Sequence, residues 1–440
     1  MDGRVEPGHD VSGQKTSGDL FVSRMTLFSS SAMLTPFRVR SFRFQWPADL
    51  LTSWGIEMEN LVLGWYILVE TGSVLALTLF WALQYVGTLL APVFGIAGDR
   101  IGHRTVLCAM RAAYALVAAA VAALAWAGLL DPAYVFVAAA LSGLIRPSDQ
   151  GMRNALIGET MPGGALMATM GVSRTTADSA RIAGALAGAG LFAAFGMGPV
   201  YIAITGFYGL GFLLTLGVAG RRLRIEPAPS NRLSLWRDLA EGLAYVWDTP
   251  ASLAAMWLAF LVNLTAFPLT SGLLPYVAKD LYGMGQTGLG TLVASTALGS
   301  LLGSVAVSLA GRVIRPARMM ILFALAWYVA LLLFVQMPGP AGGRLALILA
   351  GFMQSLSLVP MSVMLLTSAG ERFRGRVMGV RMLAIYGVPI GLMLAGGLIE
   401  RIGFVWAASL YCIIGLGLTL SIALYWHAAL WPRDAPGNWR

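Results

Sequence analysis

Apolar residues run along this chain in long blocks, broken by short polar or arginine-bearing stretches. A helix that crosses the hydrocarbon of a bilayer needs about 20 largely apolar residues. Blocks of that length lie near 46–69, 75–97, 105–129, 133–157, 164–193 and 198–219, and again near 252–276, 286–311, 317–336, 344–368, 376–399 and 403–427. The pattern predicts an all-α membrane protein, with twelve transmembrane helices in two pseudo-symmetric six-helix bundles around a central cavity. The bundles would occupy 41–220 and 251–428, with a linker over 221–250 and polar tails over 1–40 and 429–440.

Within the linker, Leu235, Trp236, Leu239, Leu243 and Val246 recur at helical spacing with charges between them. That spacing predicts an amphipathic helix lying along the membrane surface. The tail over 1–40 is rich in Ser, Gly and acidic residues and reads as a disordered segment rather than a secretory signal.

Composition agrees with the blocks. The chain is 58% hydrophobic and 12% charged over 440 residues, and no soluble core of that length needs so much apolar surface. The net charge of +9 is carried almost wholly by Arg, since Lys15 and Lys279 are the only lysines. The arginines sit in short loops between apolar blocks, which fits membrane topology and not nucleic-acid binding. One side of the predicted bundle carries Arg38, Arg40, Arg43, Arg100, Arg104, Arg221, Arg222, Arg224, Arg232, Arg237, Arg312, Arg315, Arg318, Arg372, Arg374 and Arg376. The other side carries little beyond Lys279, Arg344 and Arg401, so both termini are expected in the cytoplasm. Cys108 and Cys412 fall inside apolar blocks and read as buried hydrophobes. His9, His103 and His427 have no metal-ligand spacing, and no metal or other cofactor is implied.

The halves carry traces of a repeat. At an offset of 207, Arg174 matches Arg381, Gly184 matches Gly391 and Gly190–Leu191 matches Gly397–Leu398. At an offset of 212, Ala97-Gly98-Asp99-Arg100 parallels Leu309-Ala310-Gly311-Arg312. Both parallels fit two related bundles.

Charges at membrane depth are the candidate chemistry, because each costs at least about 2.5–3.5 kcal/mol to place there unless it finds a partner or water. Arg146, Asp149 and Arg153 share one face of the fourth block, and Arg174, Asp178 and Arg181 share one face of the fifth. Antiparallel packing of these blocks predicts cross-pairs of Arg146 with Asp178 and of Asp149 with Arg174. Glu57 and Glu59 lie mid-block in the first span and point about 200° apart on a helix. Ser53, Asn60 and Gly64 share the face of Glu57, which makes it the better cavity group; Glu59 is expected against Arg181 or Arg111. A carboxylate balanced between desolvation and a nearby Arg can exchange a proton as access changes, so Glu57, Glu59 and Asp178 are the proton-coupling candidates. The second half holds only Arg381 at depth, beside Gln354, Tyr386 and several aromatic and Met positions (Phe260, Asn263, Phe267, Trp327, Met353, Met361). With Asn60 and the five charged residues Arg146, Asp149, Arg153, Arg174 and Arg181, the residues Arg381, Gln354 and Tyr386 form the expected solute site.

The loop Gly95-Ile-Ala-Gly-Asp99-Arg100-Ile-Gly102-His103-Arg104 resembles the G-x-x-x-D-R-x-G-R-R loop between the second and third helices of major facilitator superfamily transporters. Only His103 departs from it. The stretch from Gly55 through Leu68 and on to Ser73, with the linker Leu235–Trp247, is similar to the branch that includes the enterobactin exporter and bacterial drug-efflux proteins. The resemblance implies a conformational latch in which Gly95, Asp99, Arg100, Gly102 and Arg104 hold the halves together, with Asp99 near Arg374 and Arg376. It also implies proton-coupled efflux of a small amphipathic organic compound across a bacterial inner membrane by a monomer that uses alternating access. The helix-five motif G-x-x-x-G-P-x-x-x-G-G of many exporters lacks its Pro here, where Gly184-Ala185 stands, and Arg146-Pro-Ser-Asp-Gln150-Gly151 is one residue longer than the family's R-x-x-Q-G. Proton-coupled uptake of an organic anion therefore stays open, as does a non-transporting receptor. No HExxH, P-loop, nucleophile elbow or CxxC is present, which argues against an enzyme and against direct use of ATP.

Overall fold

A computed structural model describes residues 35–219, 232–310 and 315–431. The terminal tails over 1–34 and 432–440, the linker arginines Arg221, Arg222 and Arg224, and Arg312 lie outside the described residues. All regular structure among the described residues is helical. The first half comprises α1 (Arg40–Thr71), α2 (Val74–Ile101), α3 (His103–Trp126), α4 (Pro132–Thr160), α5 (Gly163–Phe195) and α6 (Met197–Leu216). The linker helix α7 spans Arg232–Asp248. The second half comprises α8 (250–281), α9 (Gln286–Ala310), α10 (Pro316–Gln336), α11 (Pro340–Ser368), α12 (370–402) and α13 (Phe404–Tyr425).

Nine of these helices are long and apolar enough to cross a membrane. The other three long ones, α1, α4 and α5, carry most of the charges at depth. Charge lowers their hydropathy without shortening them, and α1 runs 32 residues.

Local sequence accounts for the helix ends. Gly72 takes the left-handed conformation (φ 63°) that ends α1, donating its N–H to Leu68 O, and Ser73 then caps α2 by accepting from Ala76 N–H. Asp131 caps α4 in the same way, with Pro132 as its first residue. Near its middle, α2 tightens into a 3-10 turn over Val86–Leu90. Gly87 and Gly143 lie so close to the backbones of α4 and α2 that neither has room for a Cβ. This backbone contact is what brings Gln84 of α2 to Arg146 of α4.

Alternating helix directions put the start of α1, the helix α7 and the end of α13 on one face of the molecule, called the linker face. The two halves meet toward the opposite, far face. There Ser73 Oγ and Leu75 N–H of the first half both donate to Glu400 Oε1 of α12, at 3.0 and 3.2 Å. Gly290 of α9 leaves no space between its backbone and Ala185 and Ala189 of α5, and Gly396 of α12 sits likewise on Thr78 and Leu75. Toward the linker face, Gln150 and Asn154 of α4 and Arg174, Thr175 and Arg181 of α5 are exposed. A face with two guanidiniums and two amides is not stable in hydrocarbon, so it borders a wet cleft. The conformation is open to the linker face and closed at the far face.

The linker helix packs on the end of α11 and the start of α12. Tyr245 stacks on Phe373 at 4.7 Å, Tyr245 OH donates to Ser368 O at 2.6 Å, and Arg376 pairs with Glu241 at 2.8 Å. Its apolar positions Leu243 and Trp247 remain exposed. Cys108 and Cys412 are buried and free.

Candidate functional site

Three layers of charge stack through the first half. Nearest the linker face, Arg111 of α3 is fully buried and donates to Asp49 of α1 and to Thr215 of α6. Arg153 of α4 pairs with Asp149 at 2.5 Å and donates to Ser53 Oγ at 2.8 Å and to the backbone carbonyl of Asp49 at 3.2 Å. Gln45 Nε2 donates to Arg153 O, which ties the start of α1 to α4.

The middle layer is built around Glu59 of α1. Its Oε2 accepts from Arg146 Nη2 and from Tyr208 OH of α6, each at 2.8 Å. Arg146 also donates to Asn60 Oδ1 at 2.5 Å and to Gln84 Oε1 at 2.7 Å. Four helices thus converge on one guanidinium–carboxylate pair, and both partners lie almost entirely out of water. A buried pair in which each partner is multiply hydrogen-bonded is costly to break, because either group alone would be an uncompensated charge.

The third layer borders the cleft. Glu57 faces away from Glu59 and stands 3.8 Å from Arg181 of α5; their side chains are 25% and 46% exposed. Gly184 brings α5 against α1 here, since a Cβ at that position would meet Glu57 Cβ and the backbone of Trp54. One turn or more toward the linker face, Arg174 pairs with Asp178 at 3.2 Å; the guanidinium is 72% exposed and the carboxylate buried.

Several expectations from the sequence need correction. The cross-pairs of Arg146 with Asp178 and of Asp149 with Arg174 do not form. The charged face of α4 packs toward α1 and α2, while α5 packs on α1 and across the divide on α9, so the two faces meet α1 and not each other. Each aspartate instead pairs along its own helix at i, i+4 spacing. Glu59 finds Arg146 and Tyr208, and neither Arg181 nor Arg111. Asn60 does not join Glu57 in the cleft but serves Arg146. In this conformation Arg146, Asp149 and Arg153 are sealed in helix contacts. Sealing is incomplete in its bonding, however: Asp149 Oδ1, Ser148 Oγ and Arg153 Nη2 have no hydrogen-bond partner among the described residues.

In the second half, Arg381 of α12 is half-buried and donates to Ser362 Oγ of α11 at 2.7 Å. Gln354 is buried between α11 and α9, with Ser300 Oγ 3.5 Å from its Oε1. Tyr386 lies at the 3-10 turn within α12, and its hydroxyl sits beside Thr88 and Leu89 of α2, across the divide between the halves. Trp327 and Met361 are fully buried in packing and do not line the cleft.

The charges at depth in the first half balance, with Arg111, Arg146, Arg153, Arg174 and Arg181 against Asp49, Glu57, Glu59, Asp149 and Asp178. Arg381 is an additional cation whose described partner is a neutral hydroxyl.

At the α2–α3 turn, Gly102 takes φ 90°, open only to glycine without strain. His103 Nδ1 lies 2.6 Å from Glu159 Oε1 at the end of α4, and its Nε2 is 3.7 Å from Asp99. Asp99 is 78% exposed, Arg104 donates to Leu216 O, and a Cβ at Gly95 would meet open space. Asp99 does not reach Arg376, whose partner here is Glu241; the side chain of Arg374 lies outside the described residues. The contact expected of the latch, between Asp99 and the start of α12, is not formed in this conformation.

The sequence reading overlooked Asp49 as a site residue and treated Arg111 only as a partner for Glu59. The available signal was Asp49 only three residues inside an apolar block that was read from residue 46. The helix begins at Arg40 and carries Pro47 within it, so Asp49 lies about 13 Å along it instead of at its edge.

The family description Major Facilitator Superfamily matches residues 46–389 of the chain. No curated protein matches it in sequence. Among solved structures, a mutant of the nucleoside transporter NupG aligns at TM-score 0.67 with 16% identity, covering 88% of this chain and 99% of that one. The D-xylose–proton symporter aligns at 0.67 with 12% identity over 87% and 97%. The POT family transporter PepTSo aligns at 0.71 with 11% identity over 90% and 99%. At such identities these structures share the fold with this chain and carry no information about its solute. With its two six-helix halves, its motif loop between α2 and α3 and a family match over most of its length, the chain belongs to the Major Facilitator Superfamily and is a multi-pass membrane protein with the fold of that superfamily's transporters.

Proposed function

We propose that this protein is a proton-coupled secondary transporter that exports a small amphipathic organic compound by alternating access. The observation that carries the proposal is the contrast between the two glutamates of α1. Glu59 is locked by Arg146 and Tyr208, whereas Glu57 meets water and pairs loosely with Arg181 at 3.8 Å. Proton coupling needs a carboxylate whose partner and solvent access both change during the cycle. Glu57 meets that requirement from the linker side, and rearrangement at the α1–α5 contact would expose it to the other side. In the export cycle a donor group of the solute, a hydroxyl or an amine, binds the Glu57 carboxylate from the cytoplasm. A proton entering from outside then neutralises Glu57 and releases the solute. Arg146, Asp149, Arg153 and Asn60 hold α1, α2 and α4 as one body, and Arg174, Arg181, Arg381, Gln354 and Tyr386 stand nearer the solute path. The export direction rests on the resemblance of residues 55–73 and of the linker to the drug-efflux branch.

The arginine asymmetry supports a cytoplasmic linker face and cytoplasmic termini, and the resemblance to bacterial exporters supports a bacterial inner membrane as the location. The latch residues Gly95, Asp99, Arg100, Gly102 and Arg104 would engage α12 when that face closes. The partners are protons, the solute and lipid, with the protein acting as a monomer and without nucleic acid.

A second reading, uptake of an organic anion with a proton, is favoured by Arg381, a cation at depth whose described partner is neutral. An anion that displaced Glu57 from Arg181 while Glu57 took up a proton would leave the charge of the site unchanged. A solute screen comparing deletion and complemented cells for resistance and accumulation will find compounds. Proteoliposomes loaded with a pH-sensitive dye will then separate the readings: export predicts protons moving against the solute, and anion uptake predicts protons moving with it. Solute-independent proton traffic would support neither.

A further inference from the structure

On the outer surface of the second half, near the linker face, α10 and α13 diverge and leave a groove of about 960 Å³. Its rim carries Arg315, Arg318 and His427, and its walls are Leu322, Leu420 and Leu424. The three leucines are exposed on the surface that faces the bilayer. Arg318 lies in the first turn of α10, where Pro316 begins the helix and Arg315 makes no side-chain cap. Backbone N–H groups unpaired within the helix therefore point to the same rim as the guanidiniums, and the helix dipole adds positive potential there. Trp431, partly buried, closes the end nearest the chain terminus, and indole favours the level of the headgroups.

A wall of leucine open to hydrocarbon, topped by two arginines and a histidine at headgroup depth, complements one class of molecule in every part. We propose that this groove holds a membrane phospholipid with an anionic headgroup. Its phosphate would sit between Arg315, Arg318 and the start of α10, and one acyl chain would lie along Leu322, Leu420 and Leu424. A zwitterionic lipid would satisfy the leucines and bring the cationic rim no net charge. A free phosphate would satisfy the rim and leave the leucines without a neighbour in the groove.

Native mass spectrometry of the purified full chain tests this, with phosphatidylglycerol, phosphatidylcholine and inorganic phosphate as probes. Phosphatidylglycerol should be retained about thirty-fold better than phosphatidylcholine, and Arg315→Gln with Arg318→Gln should bring the ratio close to one, since each of the two arginines near a headgroup layer contributes about 1 kcal/mol. An undiminished preference in the double variant, or displacement of phosphatidylglycerol by equimolar inorganic phosphate, would overturn the proposal. A second measurement on the unmodified protein is independent of any loss of fold. Phosphatidylglycerol with a photoreactive acyl chain should label peptides containing Leu322 and Leu420–Leu424. Labelling confined to other parts of the chain would count against it.

Discussion

Glu57 and Glu59 stand two residues apart on α1, yet one faces a wet cleft beside Arg181 and the other is held dry by Arg146 and Tyr208. The 100° turn per residue of an α-helix makes that division possible. It also predicts that the same substitution has very unequal costs at the two sites. Glu59→Gln leaves the Arg146 guanidinium buried without a counter-charge, and should lower stability by about 3–5 kcal/mol. Glu57→Gln, in the partly solvated pair, should cost less than about 1 kcal/mol. Thermal unfolding of the two variants in detergent checks the difference; equal losses would mean that Glu57 is structural.

Among the described residues Arg111 is the most enclosed charge, bonded to Asp49 and Thr215. Arg111→Met alone strands Asp49 near Arg153 with one partner removed and should destabilise by about 3–5 kcal/mol. Adding Asp49→Leu removes the stranded charge, so the double variant should recover part of that loss. A double-mutant cycle on thermal stability measures the coupling, and strict additivity would contradict a direct pair.

Arg381 supplies the positive charge left over once the carboxylates at depth are paired. Arg381→Gln should weaken binding of acidic solutes about ten-fold or more, since a hydrogen bond to a charged group is worth about 1.5–3 kcal/mol. Neutral analogues of the same shape should lose much less. Competition binding with matched acid and amide forms of a transported compound gives the ratio.

Glu400 ties the far face by accepting from Ser73 and Leu75 N–H. All of these groups border water, so the clamp weighs about 1 kcal/mol after screening. Glu400→Gln should shift the balance toward the conformation closed at the linker face about five-fold. The proposed latch brings Asp99 to the start of α12 in that conformation, so the yield of cross-link between Asp99→Cys and Arg376→Cys should rise in the Glu400→Gln background. An unchanged yield would dissociate the clamp from the latch.

The helices were legible because an apolar block of membrane length has few alternative structures, and the motif loop fell between the helices where its spacing placed it. Pairing was less legible. Sequence spacing showed that Arg146, Asp149 and Arg153 share a face, but which neighbour that face meets depends on helix rotation and on backbone contacts such as Gly87 and Gly143 on opposing helices. Gln84 and Tyr208 gave no sign of their role, since a glutamine beside a helix break and a tyrosine in an apolar block are ordinary residues until packing aims them at Arg146 and Glu59. The opposed directions of Glu57 and Glu59 were readable, because helix periodicity alone fixes them.

The most direct measurement is solute-coupled proton flux in proteoliposomes, comparing the unmodified protein with Glu57→Gln and using a compound found in the cellular screen. Loss of coupled proton movement in Glu57→Gln, with solute exchange retained, is the predicted result. Proton movement that stays coupled to solute at the unmodified stoichiometry in Glu57→Gln would contradict a proton-carrying role for this carboxylate.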